Sequence, residues 1–155
     1  MRTTNLLTLT AVLAAVLAGC AEDNPPITRE IQWADAETEA LVRRACYDCH
    51  SNETDWKLIH QLPGVRSWVN SHVYDGRCVL NFSEWDRPQP HASMAAAAVL
   101  GQQMPLESYA KHRERGVLTL EERKVLANGI TQALTADPPP TGAPDCVLGA
   151  DTGTQ

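Results

Sequence analysis

Apolar residues recur at helical spacing in four stretches of the chain, and no stretch of useful length alternates apolar and polar residues as a strand would. The four stretches run from about residue 35 to 45, from 64 to 77, from 91 to 102 and from 119 to 136. No internal repeat relates them to one another. The pattern therefore predicts an all-α fold.

The residues at the ends of these stretches are typical of helix termini. The first stretch opens near Asp35 and closes on Arg43-Arg44, an order of charges that suits the helix dipole. Thr119 can cap the last helix while Glu122 bonds back to the cap, and three prolines from Pro138 end that helix. The second helix, opened by Pro63-Gly64, places five residues on one side: Val65, Trp68, Val69, His72 and Val73.

The N-terminus has the pattern of an export signal. Arg2 is followed by an apolar stretch from Leu6 to Ala18, which is too short for a membrane span. The sequence Leu17-Ala18-Gly19-Cys20 resembles a bacterial lipobox, so we expect residues 1–19 to be a signal peptide and Cys20 to carry lipid. The alternative is an ordinary secretory peptide with a chance cysteine. Two acyl chains would anchor the protein lastingly.

The lipobox and the composition of the chain predict its location and its division into segments. We expect a lipidated tether at 20–23, a folded domain at 24–136 and a flexible Pro/Gly-rich tail at 137–155. The domain would lie in the periplasm of a bacterial envelope. The absence of Asp directly after Cys20 favours the outer membrane, by resemblance to enteric lipoproteins.

The composition of the chain argues against nucleic-acid binding and in favour of a prosthetic group. The formal net charge of −6 is a poor match for nucleic acid, whose binding depends on clustered Lys and Arg. Aromatic residues are few, and a large flat prosthetic group would supply the apolar core that these side chains lack. Cys78 and Cys146 are left without an assigned role; outside the cytosol they could pair, but sequence cannot establish the geometry.

The segment from Cys46 to His50 is the strongest chemical motif. Its pattern Cys-x-x-Cys-His places two thiols on one turn, where they can add to the two vinyl groups of a haem, and the next residue can bind the iron. We therefore expect one covalent haem c per chain, attached through Cys46 and Cys49, with His50 as an axial ligand. The competing interpretations are a thioredoxin-type redox pair, a zinc site and a disulfide between the two thiols.

The sixth iron ligand has several candidates. Met104 follows the third predicted helix, and Pro105 keeps the next segment extended, so a loop could lay this sulfur over the haem. Met94 lies inside the Ala-rich helix and is expected in the core. The alternatives to Met104 are an open or water-ligated iron and one of four histidines: His60, His72, His91 and His112.

Three blocks of residues resemble the bacterial haem-binding-domain family of CxxCH proteins, over about residues 24 to 134. The blocks are Asn24-Pro25-Pro26 with Arg44 to Thr54 and Trp56; His72-Val73, Gly76-Arg77, Leu80 to Ser83 and Trp85; and Met104-Pro105, Tyr109, Leu118-Thr119 and Glu122. The resemblance implies a small cytochrome c-like helical domain wrapped round one haem with His/Met ligation. The sequence departs from the family pattern at Lys57-Leu58-Ile59 and at Leu106.

The predicted function is that of a one-electron carrier with an unidentified redox partner protein, rather than an enzyme. Arg77 and Trp85 are expected to contact the haem propionates, although Arg77 could equally pair with a protein carboxylate or solvent. The alternative functions are a peroxidase-like haem enzyme, with His72 or His91 as the distal acid–base residue, and a gas or redox sensor. Both alternatives need an exchangeable sixth ligand.

Overall fold

The computed structural model describes residues 24–62 and 64–149. Within them the chain forms six α-helices: α1 Ala36–Ala45, α2 Tyr47–His50, α3 Val65–Val79, α4 Ala95–Leu100, α5 Glu107–His112 and α6 Leu120–Ala136. Three short 3₁₀ turns lie between them, at Leu58–Gln61, Ala92–Met94 and Glu114–Gly116. The described residues form no strand beyond an isolated bridge between Arg29 and Glu84. The predicted all-α fold is confirmed.

Capping side chains define where the first and the last of the predicted helices begin. Asp35 accepts the backbone N–H of Thr38 at 2.7 Å and begins α1. Thr119 accepts the N–H of Glu122 at 3.2 Å, and the Glu122 carboxylate accepts the N–H of Thr119 at 2.8 Å. These bonds satisfy N–H groups that a helix start would otherwise leave unpaired. Both helix starts agree with the sequence prediction.

The core lies where α6 packs against α1 and α4. Its fully or almost fully buried side chains include Val42, Leu126, Ala133, Phe82 and Trp85. Trp85 is completely buried, and its indole N–H donates to the carbonyl oxygen of Asp137 at 2.7 Å. The residue that follows α6 is thereby attached to the loop that precedes α4.

The helices α1 and α6 approach each other most closely at a glycine. A Cβ atom on Gly129 would lie 2.1 Å from Oγ1 of the buried Thr38, far inside van der Waals contact. Only a residue without a side chain permits this crossing.

The structure departs from the sequence prediction in two places near the methionines. Met94 ends a 3₁₀ turn and is 63% exposed, so its predicted core position is wrong. The Ala-rich segment is helical only from Ala95 to Leu100 as α4. After a cis Met104–Pro105 bond the chain forms α5, a six-residue helix that the hydrophobic pattern did not indicate.

A disulfide joins Cys78, near the end of α3, to Cys146. The N–H of Gly149 also donates to the Asp75 carboxylate at 2.9 Å. The C-terminal segment, whose flexibility we predicted from composition, therefore has a fixed point at Cys146.

Two predictions fall on residues that the structure does not describe. The signal peptide at 1–19 and the lipidated Cys20 with its tether lie outside the described residues. Among the helices formed by residues 24–62 and 64–149, none has the length and apolar character needed to cross a membrane.

Candidate functional site

The Cys-x-x-Cys-His segment forms the short helix α2 directly after α1. Cys46 ends α1 by donating its N–H to the Val42 carbonyl, and the N–H of His50 donates back to the Cys46 carbonyl at 2.9 Å. This turn places both thiols and the imidazole within one compact unit. Cys46 and Cys49 are each free, so the disulfide between them does not form in this structure.

Burial suppresses ionisation of both thiols. It raises the pKa of Cys46 to about 12, and it raises the pKa of Cys49 to about 11 with a further contribution from the charge of Asp48. A thioredoxin-type pair needs a thiolate at a lowered pKa, and a zinc site needs further ligands beside the two thiols. No group of three or more metal-binding side chains occurs in the described part of the chain. The environment of the two thiols therefore favours neither of those interpretations.

His50 is oriented by two backbone carbonyl groups of α3 and the residue that follows it. Its Nδ1 lies 2.9 Å from the Gly76 oxygen and 3.0 Å from the Leu80 oxygen. Because carbonyl oxygens can only accept, Nδ1 must carry the proton, and the lone pair of the neutral ring is then on Nε2. Burial lowers the pKa of His50, which also favours this neutral form. A neutral imidazole with one nitrogen bonded to a carbonyl is the state that ligates metals.

A glycine allows α3 to pack against this turn. A Cβ atom on Gly76 would lie only 2.5 Å from the carbonyl oxygen of Cys49. The same absence of a side chain brings the Gly76 carbonyl within hydrogen-bonding distance of His50. Gly76 thus sets both the approach of α3 and the orientation of the imidazole.

A cavity of about 780 Å³ opens beside Cys49. Its size falls within the range of roughly 300–1,000 Å³ that is usual for ligand pockets. Most of one wall is the predicted face of α3, with Val65, Trp68, Val69, His72 and Val73. The other lining residues come from the α2 turn, the segment that follows it and α5: Asp48, Thr54, Lys57, Ile59, His60, Gly64, Leu106, Ser108, Tyr109, His112 and Arg113.

A buried carboxylate links the two sides of this cavity. Asp48, inside the Cys-x-x-Cys motif, accepts the hydroxyl proton of Tyr109 from α5 at 2.7 Å. Arg113 and Arg115 lie 3.8 and 3.7 Å from its two oxygens. Tyr109 therefore connects the segment after Met104 directly to the turn that carries the thiols. Neither Asp48 nor the two arginines could be recognised as site residues from the sequence motifs.

Arg77 is bonded to the loop that follows the motif. Its Nε donates to the Ser51 carbonyl at 2.8 Å, and one Nη donates to Thr54 and Asn24, each at 2.9 Å. The indole N–H of buried Trp85 donates to the Asp137 carbonyl oxygen. Both residues thus have structural roles here, and their contact with propionates stays a prediction that no observation tests.

Met104 comes two residues before Leu106, which lines the cavity, but Met104 itself is not among the described residues that line it. Its half-buried side chain packs against the hydrophobic core. The guanidinium of Arg123 holds its carbonyl oxygen at 2.7 Å. Of the alternative ligands, His60, His72 and His112 line the cavity and His91 does not. The assignment of the sixth ligand stays a prediction.

Asp48 and Cys49 of the motif are among the described residues that line the cavity and Cys46 and His50 are not, but the chemistry of the motif residues fits a haem. Two free thiols lie on one turn, a neutral imidazole adjoins them with Nε2 unprotonated, and a largely apolar cavity begins at Cys49. Among protein families, residues 10–132 match the model of the haem-binding domain. Searches of curated proteins and of solved structures gave no match. With most of its length covered by this match, the chain belongs to the haem-binding domain family.

Proposed function

We propose that this chain is an electron-transfer protein whose single haem c is attached covalently to Cys46 and Cys49, with His50 as an axial ligand of the iron. The observation that carries this proposal is the arrangement of His50, whose Nδ1–H is shared between two carbonyl oxygens one residue after a free thiol. When bound, the haem supplies one-electron chemistry through the ferric and ferrous states of its iron.

The residues of the chain would hold this group and limit its exposure to water. The carbonyls of Gly76 and Leu80 fix the ring of His50, and the apolar face of α3 forms a wall beside Cys49. Burial in an apolar site favours the less charged, reduced iron and so raises its potential. No nucleophile or general acid is needed for such a role.

Met104 would supply the second protein ligand of the haem iron in this proposal. One observation supports it: Leu106, two residues after Met104, lines the cavity. The bond between Arg123 and the Met104 carbonyl fixes the backbone there. A thioether is a neutral, soft ligand that raises the potential of haem iron.

The chain would work at a membrane surface of the bacterial envelope, anchored by lipid on Cys20. The lipobox-like sequence before Cys20 supports this location, and the domain would then lie in the periplasm. The redox partner would be another protein at the same membrane.

A peroxidase-like enzyme or ligand sensor is the second candidate. The observation that favours it is the presence of three imidazoles, from His60, His72 and His112, along the cavity. His72 has its Nδ1 2.8 Å from the Trp68 carbonyl, which leaves Nε2 as its basic nitrogen. Such a residue could serve as a distal acid–base group if the sixth ligand were exchangeable.

The first prediction concerns covalent attachment. Protein made with a cytochrome c maturation system should keep its haem stain after denaturation, and the Cys46→Ser/Cys49→Ser variant should lose it, because thioether bonds survive unfolding. The matched control is Cys78→Ser/Cys146→Ser, which removes the two cysteines of the disulfide and should keep the stain. Loss of stain from the denatured parent would refute attachment, and rapid carbon monoxide binding by the reduced parent would favour the second candidate.

A further inference from the structure

The charged side chains of one segment beside the cavity are all basic. Residues 57–74 contain no Asp or Glu, although the whole chain has 19 acidic residues and a formal net charge of −6. The segment carries Lys57 and Arg66 as its basic residues. Its charge is therefore compatible with a negatively charged surface, as is that of two other segments without Asp or Glu, residues 87–106 and 123–136.

The same segment exposes several large apolar side chains. Leu58 is 83% exposed, Ile59 58%, Leu62 53% and Trp68 46%. Ile59 and Trp68 line the cavity, whereas Leu58 and Leu62 are not among the described residues that do so. A bound haem could cover part of the first pair, but the cavity offers no cover for Leu58 and Leu62. We name these four residues the apolar rim. Clustered exposed apolar residues mark sites of interaction with proteins or membranes.

The start of the described chain is fixed close to this rim. The side-chain oxygen of Asn24 accepts hydrogen bonds from the Thr54 N–H at 3.2 Å and the Trp56 indole at 3.1 Å, and its amide donates to the Thr54 carbonyl at 3.0 Å. The ring of Trp56 lies edge-on to His60 with centroids 6.1 Å apart. His60 belongs to the 3₁₀ turn that carries Leu58 and Ile59. A short series of contacts thus joins Asn24 to the rim.

Chain length then places the rim near the proposed lipid anchor. Asn24 is four residues after Cys20, and four residues span at most about 14 Å even when fully extended. Acyl chains on Cys20 would hold Asn24, and with it the loop around Trp56, within that distance of the bilayer surface. The rim therefore belongs to the part of the domain that lies near the proposed anchor.

We propose that the apolar rim, with Lys57 beside it, docks on the surface of the lipid bilayer to which Cys20 is anchored. Leu58, Ile59 and Leu62 would enter the boundary between headgroups and acyl chains, where the indole of Trp68 is also favoured. The ammonium group of Lys57 forms an ion pair with Asp55 at 2.5 Å and would have to exchange that partner for an anionic headgroup, so the docking depends chiefly on the apolar side chains. The proposal rests on lipidation of Cys20 in the proposed function, and it would place the cavity-lining residues Ile59 and Trp68 at the membrane.

The test uses the mature, haem-loaded protein in vesicles of phosphatidylethanolamine and phosphatidylglycerol that contain a phospholipid with a diazirine in its acyl chain. After illumination, mass spectrometry should find lipid adducts on residues 57–68. Leu58→Ser/Leu62→Ser should lower adduct formation there several-fold. The matched control is Val117→Ser/Leu120→Ser, which removes two comparably exposed apolar side chains elsewhere and should leave the adducts unchanged.

Measurements on the same samples separate failure of the docking from failure of the anchor. Intact mass should show acyl groups on the mature parent and none on Cys20→Ala. Acylated protein without adducts on residues 57–68 would overturn the docking and leave the anchor standing. Unacylated protein would refute the anchor, and the docking would fall with it. A dimer in light scattering that Leu58→Ser/Leu62→Ser abolishes would assign the rim to a second copy of the chain instead.

Discussion

Backbone carbonyl groups set the orientation and the protonated nitrogen of the His50 side chain. Desolvation lowers the pKa of the imidazole, although its bonds to the Leu80 and Gly76 carbonyls act in the opposite direction. The neutral ring must keep its proton on Nδ1, because both neighbours there are acceptors. The sequence motif predicts that His50 is a ligand, but only the folded chain reveals which groups orient it.

Met104→Ala is the residue-scale prediction that separates a carrier from an enzyme. Loss of a neutral, soft ligand should abolish the weak long-wavelength band of a ferric iron–thioether bond and let carbon monoxide bind the reduced form. The potential should fall by about a tenth of the roughly 0.8 V range over which axial ligands move haem potentials. Visible spectra and a redox titration check this.

Met94→Ala is the matched control for that experiment. Met94 is 63% exposed on a 3₁₀ turn, so its removal should leave spectrum, potential and stability almost unchanged. If Met104→Ala retained the parental band and potential, His60→Ala, His72→Ala and His112→Ala would identify the ligand, because these three histidines line the cavity.

At the scale of elements, a contact between α5 and α2 helps to hold the segment after Met104 in place. Tyr109 on α5 donates to the buried Asp48 carboxylate, and the two arginines beside Asp48 are 3.7 Å or more away. A hydrogen bond to a charged group contributes about 1.5–3 kcal/mol. Tyr109→Phe should lower the free energy of unfolding by about that amount, measured by urea denaturation.

The same variant should also weaken the proposed Met104 ligation, because α5 begins three residues after Met104. We expect a smaller iron–thioether band in Tyr109→Phe than in the parent at the same temperature. Tyr74→Phe is the control, since no hydrogen bond of the Tyr74 hydroxyl occurs within the described residues. Equal stability and spectra for Tyr109→Phe and Tyr74→Phe would show that the contact does not hold α5.

The elements differ in how well sequence predicts them, for physical reasons. The starts of α1 and α6 were predictable because Asp35 and Thr119 are local capping signals. The helix α5 was not, because six residues with no buried side chain carry no hydrophobic period. The close crossing at Gly129 was also missed, since it depends on Thr38, which is 91 positions away in sequence.

At the scale of the whole molecule, sequence predicted which residues share one side of α3 but not that this side lines a cavity. Helical spacing alone grouped Val65, Val69 and Val73 on one side of α3, and that side faces the cavity. The bonds from Arg113 and Arg115 to the motif and its neighbours were not predictable, because no local pattern relates residues some 60 to 70 positions apart. The hydrophobic period of a helix can be recognised within one segment of the sequence, whereas the partners of charged side chains depend on the complete fold.

The Cys78–Cys146 disulfide carries the last prediction, which concerns the stability of the whole domain. It closes a loop between residues 68 positions apart, and the chain-entropy relation gives about 4 kcal/mol of stabilisation for such a loop. Cys78→Ser/Cys146→Ser should therefore unfold at a clearly lower urea concentration than the parent while keeping its haem stain. Its unfolding free energy should fall by up to that amount, because the unfolded chain regains the freedom that the cross-link removes. An unchanged unfolding midpoint would mean that the C-terminal segment is held by its other contacts, such as the bond between Gly149 and Asp75.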